Sequence, residues 1–161
     1  TDRGSGMFVR VRDPESPERR DFAGLEHYPV DPKWRIVARL EPYAPPKPIA
    51  LDYEAGSTQP YVSPGAAVFE IDGASYRIDP LYEDDRRQRL YVVFWDLTAR
   101  DTTYGAGRFL YAPLPEGDRV LLDFNQAFSP PCAFTPYSAC PVAPPQNRLH
   151  VRVEAWEKSA R

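Results

Sequence analysis

The stretch "WRIVARLE", residues 34–41, decides the fold class. Trp34, Ile36, Ala38 and Leu40 alternate with Arg35, Arg39 and Glu41, the period of two expected of a strand with one buried and one wetted face. Sheets that keep one face in water are antiparallel. Working outward, the same signal recurs. "LHVRVEAW" (149–156) sets Leu149, Val151, Val153 and Ala155 against His150, Arg152 and Glu154, and is expected to close the sheet. "AAVFEIDGASYRID" (66–79) reads as two strands around Asp72-Gly73, a dipeptide that supplies the positive φ of a tight hairpin. "MFVRVRD" (7–13), "IALDYE" (49–54), "LYVVFWD" (90–96), "GRFLYA" (107–112) and "RVLLDF" (119–124) complete the set. Pro, Gly and Asp clusters separate them, giving about nine short strands.

Helix signals are confined to "SPERRDFAG" (16–24), where Ser16 suits an N-cap, Pro17 the first helical position and Gly24 the end. The expected fold class is therefore all-β, mainly antiparallel: a small barrel or barrel-like sandwich with a proline-rich lid and one or two short helices. Closure into a barrel is favoured because it removes exposed edges. The 19 prolines are expected mostly between strands, stiffening loops without removing ladder donors.

With 161 residues and 42% hydrophobic content, the chain fits a single domain over residues 1–161. A formal net charge of -3 offers no general attraction for nucleic acid or an anionic membrane. The run "EDDRRQR" (83–89) mixes signs within a few residues and reads as a solvated loop. No apolar run approaches the roughly 20 residues of a membrane span, and no signal-peptide pattern is present. A cytoplasmic location is expected, with secretion left open. The chain begins at Thr1 with its single methionine at Met7, which suggests the C-terminal portion of something longer.

Both cysteines lie in "FNQAFSPPCAFTPYSACPVAPPQN" (124–147). Seven residues separate Cys132 from Cys140, unlike the two-residue gaps of zinc ligands and redox motifs. His27 and His150 have no spacing that adds ligands, so no metal is expected. A disulfide staple and two reduced thiols packed beside Phe134 and Tyr137 both fit, and the compartment decides between them. The prolines keep this segment out of a sheet interior while Phe124, Phe128, Phe134 and Tyr137 call for burial. A cover over one barrel mouth satisfies both demands, either closing the core or roofing a ligand cavity.

In "DTTYGAGRF" (101–109), Gly105 and Gly107 allow close backbone approach or positive φ, and Arg108 follows at once. The third glycine and strand-turn-helix context of a dinucleotide site are missing, as is any phosphate-loop lysine, so no nucleotide cofactor is expected. Arg108 could present a planar donor fork to a ligand carboxylate or phosphate, or could pair internally with Asp96 or Asp123. Tyr104, Asp96, Asp123 and Cys132 are chemically able to take part in catalysis, yet no nucleophile elbow, zinc-protease helix or paired Cys and His signature accompanies them.

"FAGLEHYPVDPKWRIVARLEPY", "YRIDPL", "TTYGAGRFL" and "VLLDFNQAFSPPCAFTPYSACPVAPPQNRLHVRVEAWEK" together resemble the bacterial and archaeal family named domain of unknown function 1684. The resemblance runs from about Arg12 to Lys158 and implies one coherent domain with no assigned activity. It implies that Tyr104, Gly105, Gly107 and Arg108 form one characteristic stretch. Asp123, Asn125, Pro130, Pro131, Cys132, Cys140, Pro141 and Asn147 mark the other. At Ser129 the family pattern reads Asn instead.

The leading expectation is a small anionic organic ligand held under the cover by Arg108, with Tyr104 and Asn125 as donors, Asp96 or Asp123 behind them, and Tyr137 from the cover. A hydrolase in the same cavity, using Tyr104 or Cys132 with a carboxylate, is the second reading. An interaction module whose two motifs only lock loops is the third.

Overall fold

Pro32 opens a 3-10 turn, Pro32–Trp34, whose cap Asp31 accepts a hydrogen bond from the Lys33 N–H; the turn buries Trp34 and launches strand β1. The computed structural model describes residues 11–84 and 86–159. β1 (Arg35–Asp52) joins the stretches at 34–41 and 49–54, expected as separate strands, into one. β2 (Thr58–Ile71) makes this possible by pairing antiparallel along both halves, from Asp52↔Thr58 to Arg39↔Val68. Between Pro42 and Lys47 the register shifts, and the Ala44-Pro45 bond there is cis. Pro42, Pro45, Pro46 and Pro48 lie within β1, and Pro60 and Pro64 within β2, so these prolines sit inside strands rather than between them. A bulge is where a sheet accommodates residues that cannot donate to its ladder.

β2 turns tightly into β3 (Ala74–Ile78) through Asp72 and Gly73, with φ of 49° and 79°. This is the hairpin read from the sequence. β7 (Arg119–Asp123) pairs with the other side of β1, giving a first sheet of order β3-β2-β1-β7. A second sheet has the order β4-β5-β6, from β4 (Leu81–Tyr82), β5 (Leu90–Phe94) and β6 (Arg108–Ala112). The two sheets do not close into a barrel; they make the barrel-like sandwich, the other of the two expected forms.

Residues 149–156 should have closed the sheet. Their alternation holds, with Leu149, Val153 and Ala155 buried and His150, Arg152 and Glu154 exposed, but they join no ladder. The carbonyls of Val153 and Ala155 accept from the Arg108 side chain instead of from a neighbouring strand. Ser16 caps the one-turn helix α1 (Pro17–Arg20), as its sequence suggested. Residues 7–10 of "MFVRVRD" lie outside the described residues, and 11–13 are not in a strand. The described residues of the loop, 83–84 and 86–89, are largely exposed; among them Glu83 pairs with Arg89, whose guanidinium stacks over Tyr111 at 3.6 Å.

β5 is buried on both faces, and its alternation divides two apolar clusters. Leu90, Val92 and Phe94 join Trp34, Leu110, Leu122 and Phe124 between the sheets. Tyr91 and Val93 face the other way, toward Ile49, Leu51, Phe109, Cys140 and Ala143. The proline-rich segment therefore covers this second cluster on the outer face of β5 and β6, not the mouth of a lumen. Asn147 pins its far end: buried completely, its side chain accepts from the Asp79 N–H at 2.7 Å and donates to the Asp79 and Val93 carbonyls.

Candidate functional site

Gly107 explains why the arginine of the turn goes inward. Its φ is +111°, and a Cβ on it would collide with the Phe94 carbonyl oxygen, so the turn presses its backbone against the end of β5. The next residue, Arg108, points into the interior with 0% exposure. One of its terminal nitrogens donates to Asp96 Oδ2 at 2.8 Å and to the Val153 carbonyl at 2.7 Å, and the other donates to the Ala155 carbonyl at 2.5 Å. Asp96 is held in turn: its Oδ1 accepts from the Thr98 N–H at 2.8 Å, the Thr98 hydroxyl at 2.6 Å and the Val153 N–H at 3.2 Å. Of the two roles open to Arg108, its geometry is that of the internal pair.

Asp123 and Asn125 form a separate clamp. Asp123 Oδ1 accepts from the Asn125 N–H, while Asn125 donates to the Asp31 carbonyl at 3.0 Å and accepts from the Asp31 N–H at 3.1 Å. This ties the end of β7 to the turn that starts β1. Tyr137 is 91% exposed, so its expected burial is overturned. Pro136 lies immediately before it in the turn, and the ring projects into solvent. Phe134, 36% exposed, packs edge-on against Phe22 with ring centroids 6.1 Å apart.

The polar groups left facing solvent converge elsewhere. Cys132 and Cys140 form a disulfide with Cα atoms 6.2 Å apart. The segment carrying them is stitched to the end of β1: Val142 N–H donates to the Asp52 carbonyl at 2.8 Å, and Glu54 N–H to the Cys140 carbonyl at 3.1 Å. These bonds set the Glu54 side chain beside the sulfurs. From the opposite side the Tyr104 hydroxyl donates to Glu54 Oε1 at 3.1 Å. Glu54, Ala55, Tyr104, Cys132, Thr135, Pro136 and Ser138 line an open pocket of about 280 Å³. Partial burial, reinforced by the Glu54 charge and hydrogen bond, raises the Tyr104 pKa above the ordinary tyrosine value. Glu54 also contributes a ligand atom to a cluster with the two cysteine sulfurs, all within 4.8 Å of one another.

Of the residues singled out as ligand-binding, Tyr104 alone lines this pocket. Glu54 escaped notice because it reads as the end of a strand; its partners come from residues 104 and 132–140, and no local spacing signals them.

The family described as "Protein of unknown function (DUF1684)" matches residues 20–158. The chain belongs to this DUF1684 family. No curated protein matches it. Its fold is similar to the solution NMR structure of the uncharacterized protein from gene locus rrnAC0354 of Haloarcula marismortui, with a TM-score of 0.72 and 32% sequence identity. That similarity covers 91% of this chain and 82% of the other. The DUF1684 match takes in both the Arg108 turn and the disulfide segment. Among the described residues no helix is long and apolar enough to cross a membrane.

Proposed function

We propose that this DUF1684 domain binds a small organic ligand in the pocket between the Tyr104 turn and the disulfide-closed cover, with Glu54 as its anchor. The observation that carries this reading is the lining itself: Glu54 is its one charged side chain, exposed and oriented by the Tyr104 hydroxyl. A lone carboxylate selects a ligand with an ammonium or a strong hydrogen-bond donor, the opposite of the anion expected with Arg108 as anchor. The hydroxyls of Thr135 and Ser138 add weaker polar contacts. A volume of about 280 Å³ suits a compound of amino-alcohol size.

Binding fits better than hydrolysis. The disulfide removes Cys132 as a nucleophile, and the raised pKa of Tyr104 keeps its phenol protonated near neutrality. The test is the thermal unfolding midpoint of the oxidised protein with ethanolamine and, separately, acetate. Ethanolamine should raise the midpoint of the wild type but not of Glu54→Gln, and acetate should raise neither. A rise with acetate, or an equal rise in Glu54→Gln, rejects Glu54 as the anchor.

A further inference from the structure

We infer that reduction of the Cys132–Cys140 bond converts this corner of the molecule into a site for a thiophilic divalent metal, with Glu54, Cys132 and Cys140 as its three protein ligands. The inference does not rest on the organic-ligand reading, although both use Glu54. It begins from the placement of the donor atoms. A carboxylate oxygen and two sulfurs lie within 4.8 Å of one another, and ligands around one tetrahedral zinc ion stand about 3.3–3.8 Å apart, given metal–ligand bonds of about 2.0–2.3 Å. Once the disulfide is cut, the sulfurs must separate to reach that spacing and the Glu54 side chain must close in by about 1 Å. Glu54 is exposed and can make that movement.

Two sulfurs and one oxygen prefer zinc, or cobalt in its place, over magnesium and calcium, which favour all-oxygen shells. The supporting contacts are also present. The Cys132 N–H points at Cys140 Sγ from 3.2 Å, a hydrogen bond that steadies a thiolate. The Glu54 carboxylate is held by the Tyr104 hydroxyl. Cys132 and Glu54 line the pocket, so the fourth coordination position opens into it, the arrangement in which a metal keeps an exchangeable water.

The chemistry balances with a phosphine as reductant: the disulfide and one water give two thiols, and the phosphine, losing two electrons, becomes its oxide. Metal then displaces the two thiol protons. Affinity should therefore climb about 100-fold per pH unit while both thiols are protonated in the free protein. In an oxidising compartment the disulfide closes the site, and in a reducing one the site is open.

The experiment is an anaerobic Co²⁺ titration of the full chain, oxidised and phosphine-reduced, with the phosphine removed beforehand. The reduced protein should take up one equivalent with thiolate-to-cobalt charge-transfer absorption that one equivalent of Zn²⁺ abolishes; the oxidised protein should show none. Glu54→Gln should weaken Co²⁺ binding about tenfold or more. A reduced chain that loses structure and regains it with cobalt also supports the site. Absence of charge-transfer absorption in the reduced protein, unchanged affinity in Glu54→Gln, or a reduced chain that stays unfolded with cobalt overturns the inference.

Discussion

Arg108 and Glu54 stand in opposite circumstances. The arginine is sealed inside, and its terminal nitrogens donate to Asp96 and to the carbonyls of a segment that could otherwise have been a strand. The glutamate stands at the surface with one side-chain partner from a distant turn and an open pocket beside it. A buried charge needs partners, and the terminal nitrogens of Arg108 have interior ones while its Nε has none among the described residues, so its burial argues for a structural role. An exposed charge at the rim of a pocket has no such obligation. The proposed ligand chemistry therefore centres on Glu54, with Tyr104 and the cover around it, and cohesion on the buried Arg108, although the sequence draws more attention to the arginine.

The sharpest way to break this contrast is to remove the interior pair. Arg108→Met or Asp96→Ala leaves its partner buried and uncompensated, and urea denaturation should show a loss of about 3–5 kcal/mol. A loss under 1 kcal/mol would free Arg108 for a ligand role. Asn147→Ala, which orphans the Asp79 N–H and two carbonyls at the anchored end of the cover, should cost about 3 kcal/mol by the same measurement. Reducing Cys132–Cys140 should cost about 2.5 kcal/mol on the chain-entropy model, read from denaturation with and without reductant. Agreement of the two curves would mean that the bond adds nothing to the fold.

The smallest effect concerns Tyr104. Its folded-state pKa is raised above 10.0, so the folded protein holds the phenolic proton more tightly than the unfolded chain. Its contribution is complete below pH 10 and lost as the pH rises through the raised value. The ultraviolet titration of wild type minus Tyr104→Phe should show one phenol ionising above the ordinary range; one at or below it would remove Glu54 as its partner.

Much of the fold was legible because alternation is a local signal. The 34–41 strand, the Asp72-Gly73 hairpin and the Ser16 cap follow from neighbours within a few residues. The fusion of two strands into β1 was not, since Pro42, Pro45, Pro46 and Pro48 read as a break, and only pairing with β2 shows a register shift between Pro42 and Lys47 inside one strand, with Pro48 paired beyond it. At 149–156 the alternation was right and the ladder wrong, because an arginine 40 or more residues upstream took the carbonyls. The candidate site failed for a related reason. Glu54 meets Tyr104 across 50 residues, and a partner that distant leaves no pattern in a single chain.

The most direct test of the contrast between the buried arginine and the Glu54 pocket is an amide chemical-shift map of the oxidised, isotope-labelled protein titrated with ethanolamine. Shifts are expected at Glu54, Ala55, Tyr104, Cys132, Thr135 and Ser138, with Asp96, Arg108 and Val153 unmoved. Shifts centred on Asp96, Arg108 and Val153, or none around Glu54, would contradict the account.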